Sequence, residues 1–130
     1  MPDKTTLLLS LRPVIKTAPA SVLAENFQNL TLRPILKLQD GLLVRVFKQY
    51  IHQRKDVFYK LSEADQRSYI TRSLKQDQKF QQLLKGIIIG HFTDDEFDQF
   101  SSSEQEISRR ISNLLEQRLI SNITELKRIN

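Results

Sequence analysis

The 130-residue chain has no cysteine, only three glycines and only four prolines, and each scarcity removes a class of protein. Without cysteine there is no disulfide, no thiolate nucleophile, no cysteine-type zinc site and no iron–sulfur cluster, and cysteine usage says nothing about redox compartment. So little Gly and Pro argues against an all-β chain, which needs many tight turns. No run of about 18 or more apolar residues occurs, so nothing is expected to span a membrane. Thr5 to Leu11 followed by Ala18-Pro19-Ala20 faintly imitates a signal peptide and its cleavage site. Arg12, Pro13 and Lys16 interrupt the apolar part, and a cytoplasmic location is the expectation.

What is present is ordinary globular material: 39% hydrophobic and 27% charged residues, enough for one self-sufficient core without staples. The formal charge of +5 hides a division. Residues 42 to 85 carry ten Lys or Arg against four Asp or Glu, whereas residues 86 to 106 carry six Asp or Glu and no Lys or Arg. A bipolar chain can pair its acidic turn with a basic face of its own or of a second copy, which weakens the step from a pI of about 9.6 to nucleic acid.

The densest apolar run lies between Asp77 and Phe97. Phe80, Leu83, Leu84, Ile87 and Ile88 recur at helical spacing, the stripe of a helix pressed into a core, and this helix is expected to be central. Gly86 is expected to admit a neighbouring helix closely, and Gly90 to end the helix in the left-handed conformation. Thr93 with Glu96 forms a capping box for the next helix, with Phe92 and Phe97 at the hydrophobic-staple positions. Upstream, Ser62 with Asp65 reads as a weaker box, and Asp77 as a cap.

Residues 1 to 22 read as a partly ordered N-terminal arm and residues 23 to 130 as a single helical domain. Leu11 to Lys16 is echoed by Leu32 to Lys37, two similar helix starts, too few units for a repeat architecture. From Pro34, which suits a first helical turn, one helix is expected to run to Gln53. Its apolar residues cover more than half the circumference. A narrow strip of Lys37, Gly41, Arg45, Lys48, His52 and Lys55 remains on the opposite face, a candidate anion-binding strip as well as a plain solvated face. A short acidic helix over Asp94 to Phe100 precedes a break at Ser101–Ser103. The last helix, about Glu104 to Lys127, begins with a capping-box spacing from Ser103 to Glu106. It lines up Ile107, Ile111, Leu114, Leu115, Leu119, Leu126 and Ile129, with Ile120 outside the stripe and Ile123 at its edge. The surplus makes Leu119, Ile120, Ile123 and Leu126 a candidate interface with a partner chain.

Chemistry is thin. His91, Asp94, Asp95 and Glu96 have the side chains for a divalent ion, yet His91 continues an apolar stripe while the acids occupy a first helical turn, where the helix dipole favours negative charge. No Gly-x-Ser-x-Gly elbow or phosphate-binding glycine loop is present. No catalytic, metal or cofactor-binding residue is assigned. The helices ending at Leu74 and starting at Asp77 have the outline of a helix-turn-helix, which would offer Gln78, Lys79, Gln82 and Lys85 to a groove of DNA.

Asn26-Phe27-Gln28-Asn29, Leu32 to Gln39 and Leu84 to Thr93 resemble a family of short bacterial proteins filed as glyoxalase-related, some with an AraC-type tag. The resemblance covers about residues 24 to 119. The first label implies lactoylglutathione lyase activity on paired βαβββ units, with a metal held by His, Glu or Gln side chains on strands. The second implies two helix-turn-helix units. The residues themselves show no Gly-rich strand pattern, and both histidines fall in helical segments. The expectation is an all-α, irregular or orthogonal bundle of five or six helices. It would be a non-catalytic interaction module, partnered by a second copy of itself, with nucleic acid the alternative and a glyoxalase-related enzyme the third reading.

Overall fold

In the computed structural model, which describes residues 3–15 and 23–128, the chain is all-α: helices follow one another with no strand among the described residues. The paired βαβββ units that the glyoxalase label implies are therefore not its architecture. Short flanking pieces raise the helix count above the five or six expected. Ala18-Pro19-Ala20, the rest of the arm beyond residue 15, and Ile129 lie outside the described residues.

Helix α1 (Lys4–Ser10) is capped by Asp3, whose side chain accepts from the Thr6 amide, and buries no residue. Leu11 to Ile15 follow as non-helical chain, so Pro13 does not start a helix as its echo suggested. From residue 23 the chain runs through α2 (Leu23–Phe27), a π-helical turn (Gln28–Leu32) and α3 (Arg33–Leu38). Pro34 has no N–H to give to Leu30, and its ring crowds that carbonyl; widening the preceding turn accommodates both.

Helix α4 (Asp40–Gln53) is separate from α3, contrary to the single helix expected from Pro34 to Gln53. Gln39 leaves helical geometry at φ −98° and ψ 13°. Two long-range contacts flank this break: the Gln39 side chain meets His91 Nε2 at 2.6 Å, and Asp40 accepts from Asn122 Nδ2 at 2.8 Å. After α4, Lys55 and Asp56 both take left-handed backbone, φ 62° and 58°, a strained reversal for non-glycine residues. A 310 turn (Val57–Lys60) then places Phe58 in the core.

Helices α5 (Glu63–Gln76) and α6 (Gln78–Ile89) are joined by Asp77 alone. Both are capped, Ser62 accepting from the Asp65 amide and Asp77 from the Phe80 amide, but Asp65 returns no bond to Ser62, so the expected box is only half formed. A one-residue join is shorter than the three- or four-residue turn of a helix-turn-helix. At the end of α6, Gly90 keeps right-handed geometry (φ −60°), and a side chain added at Gly86 would meet nothing within 4 Å. Neither expected glycine role is used.

Helix α7 (Asp94–Ser102) starts with the full Thr93–Glu96 capping box. Phe92 rests against Phe27 and Phe100, while Phe97 is left 47% exposed, so the staple closes one turn later than expected. Helix α8 (Glu104–Ser121) has no side-chain cap: Ser103 sits at φ −137° and ψ 43°, away from the extended geometry of Ser62 and Thr93, and the Glu106 side chain binds Arg109 and Arg110. Asn122 interrupts the chain before α9 (Ile123–Leu126).

The centre of the molecule is α8, not α6. Helix α8 runs about 27 Å over 18 residues, carries the buried stripe of Ile107, Ile111, Leu114, Leu115 and Leu119, and touches α2, the π turn, α3, α4, α5, α6, α7 and α9. Helix α6 buries Phe80, Leu84 and Ile88 but leaves Leu83 53% exposed. A second focus is aromatic: Phe47 is ringed by Tyr50, Phe58, Tyr69 and Phe80, with centroid distances of 5.6 to 6.2 Å.

The residues expected to form an interface with a partner chain, Leu119, Ile120, Ile123 and Leu126, face the chain's own core instead. Leu119 and Leu126 are fully buried, and Ile123 is 5% exposed, all within one chain. The break at Asn122, with its side chain tied to Asp40, turns α9 against α4 and brings Ile123 inward. Ile120, too, is partly buried against the core. The surplus apolar residues of a straight helix are thus consumed by a bent one.

Candidate functional site: a cationic groove along α4

The outward face of α4 carries Arg45, Lys48 and His52, spaced three and four residues apart and so stacked along one side over about 10 Å. Beside them lies a groove of about 830 Å³. Tyr59 and Lys60 from the 310 turn and Arg128 from the C-terminal segment line its walls, and Asp56 is the one carboxylate lining it among the described residues. Asp56 sits 3.4 Å from His52 Nδ1, and Arg128 reaches Glu125 at 3.6 Å. Arg45, Lys48 and Lys60 have no ion-pair partner among the described residues. Burial, with Asp56 adding to it, raises the Tyr59 hydroxyl pKa, so this wall presents a neutral phenol. Toward the start of α4 the adjoining hollow shares Arg45 and Lys48 with the groove and adds Asp40 and Glu125.

The strip read from the sequence is thus assembled only in its middle. Lys37 lies on α3, beyond the break at Gln39, and Lys55 sits in the left-handed turn after α4; both are exposed but neither lines the groove. Lys60, Tyr59 and Arg128 escaped the sequence reading. Only the tertiary fold brings them to α4, and no spacing in the chain announces it.

A second polar assembly pins the N-terminal segment. Arg12 donates to both carboxylate oxygens of Glu96 at 2.7 Å and to the His91 carbonyl at 2.7 Å. The two side chains are 6% and 12% exposed. Thr31 adds a hydrogen bond to Glu96 at 2.9 Å, and the Thr93 amide another at 2.9 Å. Burial raises the Glu96 pKa, but the hydrogen bonds from Arg12, Thr93 and Thr31 and the Arg12 charge outweigh it and hold the carboxyl below its ordinary value. His91 is held below its usual pKa by burial and by the Arg12 charge. A neutral ring accepting at Nε2 suits the Gln39 amide beside it. Asp94 and Asp95 point to solvent, and among the described residues no three His, Asp or Glu side chains gather as a metal site. This assembly is a structural clasp.

The helix face that a helix-turn-helix would use is present in part: Gln78, Lys79 and Gln82 are exposed, while Lys85 is half-buried near Glu104. No helix among the described residues is long and apolar enough to cross a membrane. Compared with protein-family models, curated proteins and solved structures, the chain matches none of them.

Proposed function

We propose that this protein is a non-catalytic binding module that holds a single strand of nucleic acid in the groove along α4. The observation that carries this reading is the groove itself: Arg45, Lys48, Lys60 and Arg128 with one carboxylate, and a tyrosine in the wall. Phosphates would meet the four cations, and Tyr59 offers an aromatic surface to a base, the combination by which single strands are bound without sequence readout. Its short cationic reach suits about three or four phosphates, which implies a log–log salt slope of about −2 to −3. Fluorescence anisotropy with a labelled oligonucleotide tests this directly. Arg45→Glu combined with Lys48→Glu should abolish binding, and Tyr59→Ala should weaken it about tenfold, the lower range for one stacked base. Retained affinity in the double variant would refute the reading.

Self-association is the second reading, now by charge and not through the buried residues of α8 and α9. The Gln39–His91 contact sets the start of α4 beside the turn that leads to the exposed Asp94, Asp95 and Asp98. The cationic groove begins further along α4 and extends past its end. One end of the molecule is acidic and another basic, so copies could join head to tail. Light scattering at low and high salt tests it: a mass that falls to the monomer in salt favours it, and a monomer throughout eliminates it.

A further inference from the structure

We infer that a second cavity, between the end of α4 and the junction of α5 with α6, is a binding site for a small phosphate monoester. It measures about 720 Å³ and is lined by Tyr50, Arg54, Tyr69, Arg72, Asp77 and Lys79, together with Ser73, Gln76 and Gln78. None of these residues lines the α4 groove, and no part of the clasp at Glu96 reaches it.

The charges make the case. Asp77, the single carboxylate, is already committed: it caps the Phe80 amide at 3.1 Å and accepts from Tyr50 Oη at 3.1 Å and Arg54 Nη2 at 2.9 Å. The Phe80 amide bond is the main cause of its lowered pKa. Arg54 is fixed from three directions, with its guanidinium carbon 3.4 Å from the centre of the Tyr50 ring, Nη1 on the Tyr50 carbonyl and Nη2 on Asp77. A guanidinium held this way loses little further freedom when it takes an anion. Arg72 is anchored through Nε to the Ser68 carbonyl, and its two terminal nitrogens have no acceptor among the described residues. Lys79 has no ion pair there either. Three cations against one carboxylate leave two positive charges, which match a dianionic phosphate monoester.

The remaining wall suits the organic part of such a ligand. Gln76 and Gln78 bring amides, and the Ser73 hydroxyl, which donates to the Tyr69 carbonyl, keeps its acceptor lone pairs. Tyr69 lines the wall with its ring, its Oη being shut off from solvent. The hollow is open to solvent and wider than a bare phosphate needs. A phosphate monoester with a hydroxylated body fits this pattern, either as a free small molecule or as the terminal phosphate of a nucleic-acid strand.

The test is calorimetric titration of the full chain with inorganic phosphate, adenosine 5′-monophosphate and adenosine, at fixed ionic strength. The site predicts saturable binding of the monophosphate, competition by inorganic phosphate, and none by adenosine. Arg72→Ala, and separately Lys79→Ala, should weaken it at least about tenfold, the size of one lost charge-assisted hydrogen bond. Arg54→Lys, which keeps the charge but loses the planar fork, should weaken it too. Arg45→Glu combined with Lys48→Glu should leave it intact, so loss of the groove and loss of this site are distinguishable. An oligonucleotide with and without a 5′-phosphate separates the sources: tighter binding of the phosphorylated strand, reversed by Arg72→Ala, assigns the site to a strand end, and equal binding assigns it to a free molecule. Absence of saturable binding, or binding indifferent to both Arg72→Ala and Lys79→Ala in folded variants, would overturn the proposal.

Discussion

Replacing Arg12 by alanine isolates the clasp between the N-terminal segment and the body of the protein. The substitution removes two 2.7 Å hydrogen bonds to Glu96 and one to the His91 carbonyl, and it leaves a carboxylate that is 12% exposed without its counter-charge. Removing one partner of a buried pair costs about 3–5 kcal/mol. Here the lower end applies, about 3 kcal/mol, because Thr31 and the Thr93 amide still donate to Glu96. In a domain of this size that lowers the midpoint of thermal unfolding by about 10 °C. Glu96→Gln keeps the capping geometry without the charge, so the Arg12→Ala/Glu96→Gln cycle should show a coupling of about 2 kcal/mol.

The pH dependence gives an independent reading of the same pair. In the native protein Glu96 has a lowered pKa. Its contribution is therefore present above the unfolded value of about 4.3 and is lost as pH falls through the folded value. Without Arg12, its hydrogen bonds and charge no longer oppose burial, so the folded pKa rises and the variant loses less stability on acidification than the native protein. The difference between native and variant proteins, measured by urea unfolding at several pH values, should shrink from pH 7 toward pH 4. A penalty below about 1 kcal/mol, or one that does not change with pH, would refute the clasp.

Other outcomes follow from the same structure. Since α1 buries no residue, removing residues 1–11 should change the unfolding midpoint little, whereas removing residues 1–12 should reproduce the Arg12→Ala loss. Ile123→Glu should prevent or severely impair folding, because it puts a charge among α4 and α9; Leu83→Glu, on the exposed face of α6, should stay within about 0.5 kcal/mol of the native protein, and equal effects would contradict the assignment of the core. His91 has a pKa lowered first by burial, so its stabilising share is present above about pH 6.5 and is lost as pH falls through its folded value. His91→Gln should flatten the stability profile between pH 7.5 and 5, and an unchanged slope would count against it.

Much of the local structure was legible from short-range rules. Ser62, Asp77 and Thr93 each cap a helix because their partners lie three residues away, and the apolar stripe of α8 falls where its spacing puts it. The two breaks that shape the molecule were not legible. Gln39 and Asn122 interrupt helices whose apolar pattern runs on, and the contacts at those breaks come from far along the chain, His91 in one case and Asp40 in the other. The same cause hid the clasp: Arg12, next to a proline in a segment with little helical pattern, gives no local sign that it ends buried against Glu96. The middle of the basic strip was readable as a helix face, but the groove also needs Lys60 and Arg128, which the fold alone delivers.

The proposed nucleic-acid site is the α4 groove and not the outer face of α6. Amide chemical-shift mapping of the isotopically labelled protein with a short single-stranded oligonucleotide tests it most directly. Saturable shifts are expected at Arg45, Lys48, Gln49, His52, Tyr59 and Lys60, with Gln78, Lys79 and Gln82 changed only where a 5′-phosphate is present. Shifts centred on the α6 face with an unphosphorylated strand, or none at any residue, would contradict it.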